Sequence, residues 1–456
     1  MALKQRTLKS SVVVLGGFGA SQFIRFAGSL ITTRLLAPEL FGVMAIATTI
    51  ATVVSLLTDV GFTMNVSRSP RGAEKDFLKT VFTVRMILAI AVSIVYCLIA
   101  LGIFFAQGQG WVPADSPYGH EDLPLILAVL AGTGVLGSFR SIELELRVRM
   151  QLFSQEVLLN LLAQLLSISF AILYAYHNPS INALLGANVM ASVVLTFGSY
   201  IMFGWSYFGF KLDKEAVTEI FHFGKWIMLS TSISVIPRSM DQLAFGFLMN
   251  VSQLGVYSIA SFIANAAQML TGKLNQLLFS ALSEVIRTSP ERISEVYYRI
   301  RFYRDLLMCG PGIFLLAFGD VLIWFLYDDR FLEAGHFLRL LSVNMVIQSF
   351  LYKDQVITAL GNSKIQFHLS CWRFFGTFVL LFLGFQLYGI SGMVLGYAIR
   401  PIFGSWLLFI EFYRLGHLRL KKELRTFWLV AGLLLLAFSA RCLFLEWFDT
   451  VPLDFI

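Results

Sequence analysis

Long apolar runs, broken by short basic or acidic segments, recur along the whole chain. A helix needs about 20 apolar residues to cross 30 Å of hydrocarbon at 1.5 Å per residue. On that measure the pattern predicts thirteen spans: 11–35, 39–62, 78–106, 122–147, 152–176, 180–205, 219–248, 252–285, 299–327, 331–360, 363–388, 389–413 and 425–447. Twelve to fourteen bounds the count. Several runs are longer than one crossing needs and are expected to project beyond the bilayer, as 252–285 does in Ser283 and Glu284. The first run follows Lys4, Arg6 and Lys9 in the manner of a signal peptide. Its length and the bulky Phe18 before Gly19-Ala20 mark it instead as a retained helix.

Composition agrees with the pattern. Of 456 residues, 57% are hydrophobic and 14% charged, against about 25% charged in a typical soluble domain. Mean hydropathy is +0.74. A soluble fold cannot clothe its surface with so few charges, and so apolar a chain does not stay disordered in water. An all-α polytopic membrane protein is the class that remains.

The basic residues set the expected orientation. With the N-terminus inside, 23 of the Lys and Arg fall in cytoplasmic segments and one, Arg330, in an outer segment. The longest outer loop, 107–121, and the tail 447–456 hold acids but no Lys or Arg. Thirteen crossings would leave that tail outside. The net charge of +7 is thereby explained by topology, with no nucleic acid required.

Comparing the chain with itself finds an internal repeat. In one register Gly42, Val43, Ile46, Ala47, Ile50 and Ala51 fall on Gly255, Val256, Ile259, Ala260, Ile263 and Ala264, and Arg25, Leu30 and Leu35 fall on Arg238, Leu243 and Leu248. These are nine identities, where roughly two are expected by chance. A weaker echo sets Leu185-Gly186 on Leu395-Gly396. Helices 1–2 thus match helices 7–8, which predicts two six-helix lobes, 1–205 and 219–413, joined by a cytoplasmic linker at 206–218. Residues 414–456 add a basic loop, one further helix and a short tail. Six is even, so the lobes are parallel repeats, and transporters built this way hold substrate between them.

Charge inside the spans carries the candidate chemistry, since an ionisable group at mid-bilayer costs at least a few kcal/mol without a partner or cavity. The deep cations are Arg25, Arg140, Arg238, Lys273, Lys353, Arg373 and Arg400. The deep acids are Asp59, Asp241 and Asp354. The cationic excess suits an anion, above all phosphate. Five cations are assigned to substrate: Arg25, Arg238, Lys273, Arg373 and Arg400, with Asp59 and Asp241 as possible charge partners. Asp241 stands three residues from Arg238, where neutralising it and serving a ligand are both open readings. For Lys273, contact with water and contact with ligand are equally open. Arg140 is read as a helix-end pair with Glu143, Glu333 and His336 as an interfacial pair, and Lys353 and Asp354 as snorkelling to the inner interface. Cys97, Cys309, Cys371 and Cys442 show neither disulfide nor metal spacing, and six histidines form no metal motif. No cofactor, metal or enzymatic activity is expected.

The stretch Thr33-Arg34-Leu35-Leu36-Ala37-Pro38-Glu39-Leu40-Phe41-Gly42, with Arg25 before it and Asp59-Val60-Gly61-Phe62 after the second helix, resembles the polysaccharide-transporter branch of the multidrug/oligosaccharidyl-lipid/polysaccharide exporter superfamily. The duplicated plan extends the resemblance over residues 1–413. It implies a bacterial inner-membrane flippase for undecaprenyl-diphosphate-linked sugar units, serving exopolysaccharide, capsule or O-antigen assembly. It further implies V-shaped lobes, alternating access, a central cationic cavity for a diphosphate head group, and contact with membrane lipids and other polysaccharide assembly proteins. Relatives often have twelve or fourteen helices. An inside-negative potential favours outward movement of an anion by about 2.3 kcal/mol per charge per 100 mV. Two alternatives stand beside it: a multidrug exporter, whose cationic cargo calls for acids where this chain has bases, and a membrane-embedded polysaccharide polymerase or ligase, which calls for more outer-face residues than this chain offers.

Overall fold

The structure is a computed structural model describing residues 2–56, 60–150, 152–288, 292–351, 353, 356–357, 363–416 and 418–449. Among these residues every regular element is helical. The α-helices are α1 (Ala2–Leu35), α2 (Pro38–Leu56), α3 (Phe62–Arg68), α4 (Lys75–Gly108), α5 (Leu123–Ser138), α6 (Glu143–Arg149), α7 (Phe153–His177) and α8 (Ile181–Phe203). They continue as α9 (Lys214–Leu248), α10 (Val251–Thr288), α11 (Ile293–Leu326), α12 (Glu333–Phe350), α13 (Ser363–Ile399), α14 (Ser405–Arg414) and α15 (Leu420–Asp449).

Eight helices among the described residues are long and apolar enough to cross a membrane, or nine if the bent pair α5–α6 is one span. The chain is a multi-pass membrane protein. That count is below the thirteen expected, and the shortfall has physical causes. Ionisable side chains such as Glu219, Lys225 and Asp241 interrupt the apolar run in α9, and α12 is short with Arg339 among its residues. The stretch 367–414 enters the count once, although it doubles back. Tyr388 and Gly389 leave the helix, Gly389 at φ 58°, a region that favours glycine. A Cβ on Gly384 or on Gly392 would stand closer than 3.0 Å to the other's carbonyl oxygen. The arms of this hairpin therefore touch backbone to backbone, as small residues permit between membrane helices.

The chain divides into two compact units, residues 1–255 and 256–456. In the first, α1 lies on α7, α7 on α8, α4 on α5 and α2 on α9. Val60, Val66, Phe77, Leu78, Val81, Ile142, Ala216 and Ile220 form a core where α3, α4 and α9 meet the break between α5 and α6. In the second, α11 pairs with α12, α12 with α13 and α11 with α15. Cys309, Ile313, Val346 and Val430 form a core there.

The echo between Leu185-Gly186 and Leu395-Gly396 becomes a structural match. A Cβ on Gly186 would meet Phe170, and one on Gly396 would meet the Leu380 carbonyl. In each unit, then, a glycine at the echoed position opens the contact with the preceding helical segment.

Candidate functional site

In the first unit, α1 approaches α7 through Gly17 and Gly28, against Val157 and Ile168. Between them Ser21 Oγ donates to Gln164 Oε1 at 2.6 Å, and Gln164 Nε2 donates to the Ser21 carbonyl at 2.8 Å. Arg25, one turn further on, is exposed. α9 runs antiparallel to α2. Ser232 Oγ reaches the Leu56 carbonyl at 3.5 Å, Thr49 Oγ1 donates to Gln242 Oε1, and Gly246 faces Ile46. Arg238 falls between these contacts, near mid-helix. Its side chain lies outside the described residues, as do Asp59 and the side chain of Lys273. Asp241 is buried at 4% exposure.

In the second unit two of the expected cations lie on the two arms of the hairpin. Trp372 faces Gly404 and its ring lies 6.1 Å from that of Phe403, so Arg373 and Arg400 sit on antiparallel segments about one helical turn apart in level. Arg400 opens a short 3-10 turn, Arg400–Ile402. Its guanidinium stands 4.1 Å from the Tyr397 ring centroid, a cation–π arrangement. Asn344 Nδ2 donates to the Ala398 carbonyl at 2.9 Å. That satisfies a backbone group which hydrocarbon would leave costly.

Three expectations for charge are corrected. Arg140 pairs with Glu145, Nη2 to Oε1 at 3.3 Å, rather than with Glu143, which takes Arg147 at 3.4 Å. The helix breaks between Ser138 and Glu143, so helical spacing does not carry across it. Lys353 does not snorkel. It is fully buried, with Nζ 3.0 Å from Glu423 Oε2 and 3.8 Å from the Phe409 ring centroid. Asp354 lies outside the described residues. Spacing alone pairs Glu333 with His336, whereas His336 Nε2 meets Ser391 Oγ at 3.0 Å.

Sequence reasoning missed the buried and half-buried ion pairs. Arg85 reaches Glu145 Oε1 at 3.1 Å. Arg301 reaches Asp305 at 3.0 Å and Glu423 at 2.6 Å, and Arg304 reaches Asp305 at 2.9 Å. Asp320 accepts both nitrogens of Arg441, at 2.7 and 2.5 Å, and Arg339 at 3.3 Å. The Arg301–Asp305 spacing of four is the one visible signal. Just before α9, Asp213 lies 2.6 Å from Arg71 Nη2, and that guanidinium holds the Asp213 carboxyl below its usual range.

The chain as a whole is similar to known proteins. The polysaccharide biosynthesis protein family covers residues 31–336. The chain belongs to that family. A Shigella flexneri protein assigned as an O-antigen transporter is 23% identical over 416 residues, 88% of this chain and 96% of that one. The succinoglycan biosynthesis transport protein of Rhizobium meliloti is 22% identical over 72% of this chain and 63% of its own length. Among solved structures, the lipid II flippase MurJ in an inward closed conformation superposes with a TM-score of 0.71 at 13% identity, covering 95% of this chain and 92% of that one. An inward-facing multidrug resistance transporter of the MATE family gives 0.64 at 14%, covering 91% and 94%. At these identities the two structures speak for the fold.

Proposed function

We propose that this family member is a flippase that carries undecaprenyl-diphosphate-linked oligosaccharide units from the inner to the outer leaflet of the bacterial inner membrane by alternating access. The names of the O-antigen and succinoglycan relatives support the substrate class, and the MurJ-like fold supports the build. In this reading thirteen helices form two six-helix lobes plus one addition, with the N-terminus in the cytoplasm. Arg25, Arg238, Lys273, Arg373 and Arg400 line a cationic cavity for the diphosphate, and Asp59 and Asp241 balance their charge when it is empty. No covalent chemistry is required of the chain. The ligand is a lipid head group that binds and is released, with other assembly proteins acting before and after.

The observation that carries the reading is the register of cations on repeated helices: Arg25 falls on Arg238 in the same alignment that sets Gly42 on Gly255. Two guanidiniums at twofold-related positions repel each other when alone and are relieved by a diphosphate spanning them, which Arg binds bidentately. Expression in a strain lacking its own flippase tests it. Restored surface polymer supports the proposal. Lipid-linked units that stay on the inner leaflet despite normal membrane abundance overturn it.

A further inference from the structure

The repeat register that sets Gly42 on Gly255 also sets Arg140 on Lys353, and each stands just beyond a helix end beside a carboxylate, Arg140 half-buried and Lys353 fully buried. In the first unit α5 stops at Ser138, just before Arg140, and the chain bends by 64° into α6. In the second, α12 stops at Phe350, just before Lys353. Each cation is held by one carboxylate: Arg140 by Glu145, Lys353 by Glu423. Each carboxylate is shared with an arginine of the preceding long helix, Arg85 on α4 and Arg301 on α11. Arg85 and Arg301 fall within one helical turn of matching positions in that register.

The clusters also answer the same backbone need. Where a helix stops inside an apolar region, its last carbonyls require donors. Arg85 Nε donates to the Ser138 carbonyl at 3.0 Å and Arg85 Nη2 to that of Arg140. Tyr200 Oη donates to the Phe139 carbonyl at 2.6 Å. In the second unit Lys353 Nζ donates to the Phe350 carbonyl and Arg304 Nη2 to that of Gln348, both at 3.4 Å. The acids differ in origin. Glu145 comes from α6, just beyond the break, whereas Glu423 comes from α15, outside the repeat. One arrangement is thus completed by two unrelated segments.

We propose that Arg85–Glu145–Arg140 and Arg301–Glu423–Lys353 are a matched pair of latches. Each ties the break in the fourth helix of its repeat to the third helix, so that the cytoplasmic end of each half travels as one piece during transport. The clause about transport rests on the flippase reading; the latches themselves rest on geometry. It follows that α15 is a working part of the second half, because it supplies that latch's acid.

Hydrogen exchange of the purified full-length protein in nanodiscs tests this, because removing one partner of a buried ion pair leaves the other's charge uncompensated and loosens the backbone it holds. Glu145→Gln should speed exchange at the amides of 139–146 about 100-fold and leave 346–351 unchanged. Glu423→Gln should do the reverse. Each variant should also lose most polymer export at normal membrane abundance, while Glu145→Asp, which keeps the charge, should recover part of both. Unchanged exchange at the breaks overturns the latches, and so does equal acceleration throughout the chain. Local acceleration with full export overturns their role in transport. Should Glu145→Gln fail to accumulate, Arg85→Lys reports on the same break, with a smaller acceleration expected. If wild-type protein fails to restore polymer while the exchange pattern holds, the flippase reading falls and the latches stand.

Discussion

Gly42 and Gly255, which the repeat sets on one another, touch each other in the folded chain. A Cβ on Gly42 would stand closer than 3.0 Å to the Val251 carbonyl oxygen, and a Cβ on Gly255 closer than 3.0 Å to that of Pro38. Pro38 and Val251 are themselves partners in the repeat register. The contact is reciprocal: residue 42 meets 251 while 255 meets 38. The N-terminal ends of α2 and α10 therefore cross with glycine on both sides, because nothing larger fits.

Replacing either glycine should open this crossing. Gly42→Ala or Gly255→Ala forces backbone apart, and overpacking of that kind costs about 1–3 kcal/mol. The melting temperature of the purified protein should fall for each. Gly16→Ala is the control: no atom lies within 4 Å of its added Cβ, and alanine favours helix by about 1 kcal/mol over glycine. Equal melting of all three variants would count against a close crossing.

The proposed cationic cavity makes a sharper claim. Arg25→Ala or Arg238→Ala should abolish polymer export while leaving membrane abundance normal, since charge-assisted contacts to a buried anion are worth a few kcal/mol. Lysine at either position should retain partial activity, because charge survives and the bidentate fork does not. Arg34→Ala, on an exposed residue in the last turn of α1, should matter less. Surface polysaccharide in a flippase-deficient strain is the measurement. Full export by both alanine variants would remove these arginines from the site.

The Arg71–Asp213 pair predicts a pH dependence with a definite sign. Arg71 lowers the Asp213 carboxyl below its ordinary value, which is about 3.9 in an unfolded chain. A lowered carboxyl contributes stability that is complete above the unfolded value and is lost as pH falls through the folded one. The difference in melting temperature between wild type and Asp213→Asn should thus stay flat from about pH 5 to 9 and shrink only in stronger acid. A difference that grows on acidification would mean that the pairing has the opposite sense.

The apolar runs identified the all-helical, multi-pass class because membrane helices are specified by local composition. The division at residue 388 is visible for the same reason, since Tyr388-Gly389 interrupts an apolar stretch with a residue that tolerates positive φ. The ion pairs escaped because sequence shows neighbours three or four apart, while Arg85 and Glu145 are separated by 60 positions and Arg301 and Glu423 by 122. Arg301 and Arg304 read as cytoplasmic charge, and the fold buries them. Arg140 shows how a local rule misleads: Glu143 has helical spacing from it, but the intervening residues are not helical.

The last prediction concerns α15. It meets α11 at two levels with opposite charge sense: Glu423 of α15 takes Arg301, and Arg441 of α15 takes Asp320. The interval from 301 to 320 along α11 nearly equals that from 423 to 441 along α15, so the helices run parallel. At 1.5 Å per residue the two levels lie about 27 Å apart, close to one hydrocarbon thickness. Such spacing suits a helix that crosses in full and fixes its rotation and height against α11. Removing one partner of the upper pair leaves a half-buried charge without its counterion, which destabilises the contact. Arg441→Ala and Asp320→Ala should each reduce folded protein in the membrane. The exchanged pair Asp320→Arg with Arg441→Asp restores attraction between α11 and α15, although Arg339 then faces a like charge. It should therefore recover more folded protein than either single variant and less than wild type, as read by size-exclusion fluorescence of tagged protein. A double variant no better than the worse single one would show that these side chains do not pair, and the parallel register of α15 would lose its upper anchor.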